Sequence, residues 1–214
     1  MARTQTYLED CDGTPSLATN WTQWYPGWGT CSFLTGELTA GGGAVIGIYY
    51  TAGVGSDNQY CELKVTALGW YGSSNRVLAG VRMQGSDATR DGYFAELRDH
   101  GETAKTFRVT KWLNGTESEI ATTTVNAVTG DKISIEVETS GANATLRAYH
   151  NTTLVHDTSD TASVITGGAP GVALYEVPPR ADDISVGTLS AGGATLQAVE
   201  RGRAAARGLA RGMT

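Results

Sequence analysis

The sequence predicts an all-β protein in which residues 1–190 form a two-sheet antiparallel sandwich and residues 191–214 form a short basic tail. Most of the first 190 residues alternate apolar and polar side chains with a period of two, which is the pattern of half-buried strands. Turn residues interrupt this alternation about every 8–12 residues, as in sandwich folds. The composition agrees, because 28 of the 214 residues are glycine and only 5 are proline, while Thr, Val and Tyr are frequent.

The strongest alternation lies in residues 91–151. Phe107 and Val109 fall on one side of an extended chain, whereas Arg108 and Trp112 fall on the other. Glycine and asparagine near positions 114 and 141 accept positive φ and so predict hairpin turns. We therefore expect one antiparallel meander with a dry face and a solvent-exposed face, and a second sheet that covers the dry face.

The remaining strands are expected on both sides of this stretch. Residues 4–9 form a short first strand, and a run of three glycines at 41–43 separates the next two strands. Before the meander, the predicted strands are 31–38, 44–52, 58–68 and 75–84; after it, they are 152–157, 171–177 and 181–189. The chain thus predicts about a dozen strands, and no helical pattern precedes residue 192.

Four aromatic residues lie close together in the long N-terminal loop: Trp21, Trp24, Tyr25 and Trp28. One interpretation is a cap packed over one end of the sandwich, with the indole N–H groups bonded to backbone carbonyls. The other is a stacking platform for sugar rings. We favour the cap, because a long loop needs an anchor, and we keep the four residues as a candidate glycan site.

The C-terminal tail is the basic part of an acidic chain. The formal net charge is −6, yet residues 191–214 contain four arginines and one glutamate. If residues 194–211 form a helix, three of the arginines lie one turn apart beside an apolar stripe. The predicted assembly anchor comprises Leu196, Val199, Arg201, Arg203, Arg207 and Arg211. The acidic body disfavours nucleic acid as a partner.

Several other classes of protein are disfavoured. No apolar run approaches 18 residues, so we expect no membrane span, and the N-terminal residues lack the apolar core of a signal peptide. Cys11, Cys31 and Cys61 have no C-x-x-C spacing, which argues against zinc binding. We expect buried thiols, with a Cys11–Cys31 disulfide as the alternative.

A series of short motifs resembles one known family. YLEDCDG…LATNW opens the chain, and QYCELKVTAL…GYFAELRD…KTFRVTKWLNGTE follows. GDKISIEVETSGANATLRAYHNTTLVHDT and GGAPGVALYEVPPRADDISVG complete the body. This order, over about residues 5–190, resembles the concanavalin A-like (laminin G-like) jelly rolls of bacteriophage tail and capsid-surface proteins. The resemblance implies a jelly-roll sandwich whose first and last strands pair, with residues 8–10 alongside residues 182–184.

Glycan-cleaving jelly rolls carry motifs that this chain lacks. The E-x-D-x-x-E motif places two carboxylates on one face of a strand, whereas Glu96 and Asp99 are three residues apart and point to opposite faces. In the R-x-E-L-R motif of alginate-lyase-type members, Phe94 replaces the first arginine, and no Q-I-H string follows. We therefore expect no catalytic residues, and we interpret Glu96 and Arg98 as a same-face ion pair.

Metal binding has only weak indications. His150 and His156 flank a turn and, with Asp157, form a loose metal-binding pattern, although surface histidines are the favoured interpretation. No cofactor is expected, but calcium is left open, because paired first and last strands would bring several aspartates together. The calcium candidates are Asp10, Asp12, Asp182 and Asp183, with Asp57 and Asn58 as a second set. Turn-forming and capping roles are favoured for all of them.

The first functional hypothesis is a non-enzymatic virion structural protein, either a capsid decoration or a tail surface protein. It would be made in the host cytoplasm and displayed on the virion surface. Its termini would dock to other virion proteins, such as the major capsid or tail protein, with arginines bound to carboxylates; homo-oligomers are left open. The alternative is a carbohydrate-binding module that contacts host or environmental glycans through the tryptophan cluster or the concave sheet face. A glycan lyase or hydrolase ranks third, and DNA binding through the tail ranks fourth.

Overall fold

The computed structural model describes residues 2–9, 20–24, 30–34, 36–41, 45–52, 54–68, 75–99, 104–175 and 179–190. These residues form fifteen strands and a short 3₁₀ helix at Asp87–Thr89. The strands are β1 (Ala2–Glu9), β2 (Trp21–Gln23), β3 (Thr30–Leu34), β4 (Glu37–Gly41), β5 (Val45–Tyr50), β6 (Gln59–Ala67), β7 (Asn75–Gln84), β8 (Asp91–Asp99), β9 (Lys105–Leu113), β10 (Thr116–Val125), β11 (Lys132–Ser140), β12 (Asn143–His150), β13 (Thr153–Asp160), β14 (Ala169–Tyr175) and β15 (Arg180–Ser190). None of the described helices is long and apolar enough to cross a membrane.

The strands form two antiparallel sheets, which confirms the predicted sandwich. Sheet I has the order β13-β12-β11-β6-β15-β4-β3, and β1 pairs with β15 beside it. Sheet II has the order β10-β9-β8-β7-β14-β5-β2. The pairing of the first and last strands is also as expected, since Leu8 lies opposite Ser185 and Glu9 lies opposite Ile184.

The predicted strand bounds agree closely in the centre of the chain and less well near its start. The bounds of β7 match the prediction. The single strand predicted at 31–38 is instead two strands, because Gly36 turns the chain with a φ of 79° between β3 and β4.

The continuous meander predicted for residues 91–151 is wrong. Strands β8, β9 and β10 belong to sheet II, whereas β11 and β12 belong to sheet I. Residues 126–131 carry the chain from one sheet to the other. Ala127 is buried in this crossing, and Asp131 accepts a hydrogen bond from the Val128 amide at 2.9 Å. Alternation identifies the buried residues of each strand but does not assign the strand to a sheet.

The main core lies between the two sheets. Phe107 and Val109 of sheet II and Ile133, Ile135 and Val137 of sheet I have no solvent exposure. Burial of each such side chain contributes about 1.5–3 kcal/mol to folding. The prediction that Phe107 and Val109 share one side of their strand is therefore confirmed, and that side is the buried one.

Arg3 of β1 reaches across the outer face of sheet I to β6 and β11. Its Nε atom is 2.7 Å from Glu136, and its Nη1 atom is 2.8 Å from Glu62. Burial lowers the pKa of Arg3, but the two carboxylates outweigh this effect and the net shift is upward. On the paired strand β15, a Cβ atom on Gly187 would lie 2.1 Å from the carbonyl oxygen of Thr4. The first strand therefore depends on glycine at position 187.

A buried polar network closes one end of the sandwich. Lys111 points inward, as its alternation with Arg108 predicts, and its Nζ atom is 2.7 Å from Asp160. The Tyr93 hydroxyl donates to the same carboxylate at 2.6 Å. Nearby, Arg82 has no solvent exposure and a φ of 53°. Its guanidinium donates to the carbonyl oxygens of Asp57 at 3.0 Å and Ile165 at 2.6 Å.

Candidate functional site

The outer face of sheet II carries a concentrated set of charged side chains. Strand alternation places them there, because their sequence neighbours Val77, Leu97 and Phe107 point into the core. The six residues are contributed by four adjacent strands, β7 to β10. We call this surface the charged face; it comprises Arg76, Glu96, Arg98, Arg108, Glu117 and Glu119.

Two arginines and two glutamates form the centre of the charged face. Arg76 Nη1 donates to both carboxylate oxygens of Glu117, at 3.0 and 2.8 Å, and Arg76 Nε is 3.5 Å from Glu96. Arg108 Nη2 donates to Glu96 at 3.1 Å and also to Glu117. Arg76 and Arg108 thus both form ion pairs with Glu96 and Glu117. Such shared pairs fix the planar guanidinium groups in orientation.

Glu96 is the most deeply buried member of the charged face. Its side chain has no solvent exposure, and burial raises its pKa above the ordinary glutamate value although Arg76 and Arg108 oppose the shift. Glu96 and Arg98 lie on the same face, as predicted, and their charges attract each other. The short contacts of Glu96 are nevertheless to arginines of the two neighbouring strands: Arg108, its register partner on β9, and Arg76 on β7.

An aromatic cluster adjoins the charged face on the same side of sheet II. Trp24 packs against Phe94 at a ring-centroid distance of 5.1 Å and against Trp112 at 5.9 Å. The half-buried rings of Tyr49 and Tyr175 pack against this cluster. Tyr175 also lies under the Arg76 guanidinium, 4.6 Å from its centroid. The face therefore combines fixed charges with two partly accessible tyrosine rings over a buried aromatic cluster.

The predicted tryptophan cluster does not form a single platform in the described residues. Trp24 is fully buried, and its Nε1 atom donates to the Gln84 carbonyl at 3.0 Å. Trp21 is 4% exposed and packs in the main core against Tyr7 and Tyr50. Neither indole offers a ring face to a sugar in this structure, and the burial of both favours the packing interpretation. Tyr25 and Trp28 lie outside the described residues.

Several buried polar atoms on the charged face and its aromatic margin have no hydrogen-bond partner. They are Arg76 Nε, Glu96 Oε1, Arg108 Nε, Thr110 Oγ1 and Trp112 Nε1. Arg76 Nε and Glu96 Oε1 face each other as an ion pair at 3.5 Å. Buried polar atoms are nearly always hydrogen-bonded in folded proteins, and leaving one unsatisfied costs about 1–3 kcal/mol. This group of atoms makes the charged face our candidate site.

The calcium candidates that the structure describes have other partners. Lys64 Nζ lies 3.4 Å from Asp182 and 3.5 Å from Asp183, so an ammonium group already contacts both carboxylates. Asp57 accepts from the Gly167 amide, and Asn58 accepts from the Thr139 amide. Asp10 and Asp12 lie outside the described residues. Within the described part of the chain, no group of three or more metal-ligating side chains converges.

The two described histidines have separate environments. His150 Nε2 is 2.8 Å from the Asp131 carboxylate, whereas His156 stacks on Phe107 with the ring planes 4° apart. Cys31 and Cys61 are free thiols, and burial raises the pKa of each to about 12. Cys11 and the predicted anchor residues at 196, 199, 201, 203, 207 and 211 lie outside the described residues.

Most residues of the charged face were not singled out from the sequence. The signal was present for Arg108, whose strand neighbours Phe107 and Val109 are both apolar, but not for Glu117, which lies between Thr116 and Ser118. Alternation alone places such residues on an outer face. Only the strand order β10-β9-β8-β7 brings them together, and that order was not predicted.

The chain resembles solved structures of sugar-binding and related β-sandwiches. A carbohydrate binding module, CBM66, from Bacillus subtilis aligns with a TM-score of 0.60 at 20% identity, over 79% of this chain and 96% of that chain. A legume lectin-like domain from Entamoeba histolytica aligns with a TM-score of 0.53 at 10% identity, over 81% and 92%. The CBM2 module of the evolved Dit protein of Lactobacillus casei BL23 phage J-1 aligns with a TM-score of 0.54 at 12% identity, over 87% and 96%. These similarities support the concanavalin A-like jelly-roll fold. No family model and no curated protein matches the chain.

Proposed function

We propose that this chain is a carbohydrate-binding domain that recognises glycans through the charged face of sheet II. The observation that carries the proposal is the fixed grid of Arg76, Glu96, Arg108 and Glu117 beside half-buried tyrosine rings. Guanidinium groups donate to sugar oxygens, carboxylates accept from sugar hydroxyls, and aromatic rings pack against the apolar face of the sugar. The resemblance to carbohydrate-binding and lectin-like domains supports the same function.

The charge balance of this face favours an uncharged glycan. Three arginines and three glutamates occupy it, so a charged ligand would meet repulsion as well as attraction. Hydroxyl groups both donate and accept, and they can satisfy either kind of side chain. We therefore propose neutral, hydroxyl-rich polysaccharides as the ligand class.

We propose binding without catalysis. A general acid must lie within hydrogen-bond reach of the bond that it cleaves. The Glu96 side chain has no solvent exposure, so the carboxyl group with the raised pKa is covered. Glu117 is more exposed, but two arginines occupy its carboxylate.

Replacing Glu117 with glutamine tests the proposed binding face. The affinity of the domain for a neutral polysaccharide that slows its migration in a native gel should fall by about tenfold or more. A tenfold loss is equivalent to about 1.4 kcal/mol. Glu117 accepts from both arginines, so the change both removes an acceptor and loosens the grid. Affinity electrophoresis against a panel of neutral polysaccharides would measure the effect.

Glu138→Gln provides the matched control. Glu138 is 23% exposed and pairs with Arg147 on sheet I, whereas Glu117 is 24% exposed. The control should leave affinity unchanged. Loss of affinity in Glu138→Gln but not in Glu117→Gln would place the site on sheet I instead. If no polysaccharide of the panel binds the native domain, the proposal is refuted.

Display of this domain on a virion is the second candidate function. It is favoured by the similarity to a module of a phage Dit protein and by the basic segment at residues 191–214. In this proposal the segment docks to carboxylates of a neighbouring virion protein, and the sandwich contacts host glycans.

Deletion of residues 191–214 tests the virion role. The truncated protein should fail to join the particle, while its melting temperature should stay within about 2 °C, because the segment follows the last residue of β15. Particle composition and thermal unfolding would measure the two effects. Full occupancy of the truncated chain in particles would contradict the anchor.

A further inference from the structure

The position of Glu96 differs from that of the other carboxylates on the charged face. It lies beneath the two central guanidinium groups, with no exposed surface, and Glu117 binds the same groups from the edge strand β10. Glu119 is 43% exposed and lies 3.4 Å from Arg108. Arg76 and Arg108 therefore lie between a covered carboxylate and an accessible one.

We propose, on the basis of the function proposed above, that Glu96 is a positioning residue whose negative charge aligns Arg76 and Arg108 for glycan binding, so that acidification weakens binding. Glu96 makes no contact with the glycan itself. Protonation removes one of the two negative charges that the arginines share. The guanidinium groups then lose their fixed orientation, and the binding face loses its preorganised donors.

The surroundings of Glu96 define the pH range of this effect. Arg98 lies on its own strand, Arg76 on β7, Arg108 on β9, and Glu117 and Glu119 on β10. Burial is the largest influence and raises the pKa of Glu96 above the ordinary value of 4.5, with Glu117 adding to the rise. Binding should therefore weaken at a pH above that at which an ordinary glutamate titrates.

The effect on folding has the opposite sign. A carboxyl group whose pKa is raised in the folded state contributes stability below its unfolded pKa, near 4.5, and this stability is lost as the pH rises through the folded value. Acidification should thus weaken binding without weakening the Glu96 contribution to folding. This difference separates loss of alignment from simple acid unfolding.

The arginine side chains report alignment without any ligand. In ¹H–¹⁵N spectra of the native protein, the guanidinium N–H protons of Arg76 and Arg108 should be protected from solvent exchange. Their protection factors, which correct for the base-catalysed intrinsic rate at each pH, should fall about tenfold once Glu96 is protonated. Glu96→Gln should show the low protection at every pH. Glu96→Asp keeps the charge and should restore part of the pH dependence. Protection factors in Glu96→Gln equal to those of the native protein would overturn the positioning role.

Binding measurements complete the test. Affinity for any member of an array of uncharged polysaccharides should fall about tenfold in Glu96→Gln, and the variant should lose the fall in affinity that acidification causes in the native protein. If the protection factors follow the prediction but no polysaccharide is bound, the proposed function fails and the positioning of the arginines stands. If the affinity of the native protein does not fall at any pH on acidification of the folded domain, the pH regulation is refuted.

Discussion

Replacing Trp24 with alanine is expected to lower the free energy of unfolding by about 3–5 kcal/mol, the usual cost of removing a large buried aromatic ring. Trp24 has no solvent exposure, and its ring packs on Phe94 and Trp112. Gly47 makes room for it, since a Cβ atom there would lie 2.9 Å from the indole. The change would also leave the Gln84 carbonyl without its N–H donor. Urea unfolding at pH 7 would measure the loss.

A phenylalanine variant separates packing from hydrogen bonding. Trp24→Phe keeps most of the ring and loses the N–H group, so a smaller loss of about 1–2 kcal/mol is expected. A loss under about 1 kcal/mol in Trp24→Ala would show that the ring is not anchored in the fold. The sugar-platform interpretation of the tryptophan cluster would then regain support.

Replacing Arg82 with methionine is expected to destabilise the protein by about 3–5 kcal/mol. The guanidinium of Arg82 donates to the Asp57 and Ile165 carbonyls and to the Thr139 hydroxyl. Methionine has a similar length but no donor, so these buried acceptors would lose their partner. The contacts join β7 of sheet II to the end of β11 in sheet I, and the loss should therefore affect both sheets. Chemical denaturation with fluorescence detection would quantify it.

Arg147→Met is the matched control. Arg147 is 27% exposed and pairs with Glu138 at 3.2 Å and Asp157 at 3.7 Å on the surface of sheet I. Surface ion pairs contribute less than about 1 kcal/mol. If Arg82→Met cost no more than Arg147→Met, the Arg82 network would not be a structural tie between the sheets.

The sequence was informative about strands because the alternation of apolar and polar residues is a local property of the chain. The alternation of Phe107 and Val109 with Arg108 identified the buried side of β9, and the bounds of β7 were predicted to the residue. The assignment of strands to sheets is not local. It depends on residues 126–131 crossing between the sheets, and the polarity of this segment resembles that of an ordinary turn. The central meander was therefore predicted where the structure has a crossing.

The candidate site was less predictable than the fold. The sequence drew attention to Trp21 and Trp24 because they are close along the chain, yet they pack on opposite sides of sheet II. Arg76 and Glu117 are 41 positions apart, and their contact depends on the register of three strand pairs. Glu96 is a second example. Its nearest charged neighbour in sequence is Arg98, but its ion pairs in the structure are with Arg76 and Arg108 on the neighbouring strands.

The pairing of β1 with β15 sets Ala2 directly opposite Ser190. Neighbouring antiparallel Cα atoms lie about 4.5–5.5 Å apart, so a linker of a few residues could join these positions. The fold should therefore tolerate circular permutation, with new ends opened at the exposed hairpin turn around Gly141. It should also tolerate insertion as a cassette into a loop of a larger protein. Because β1 and β15 belong to sheet I, a larger protein attached at Ala2 and Ser190 would leave the outer face of sheet II directed away from the point of attachment.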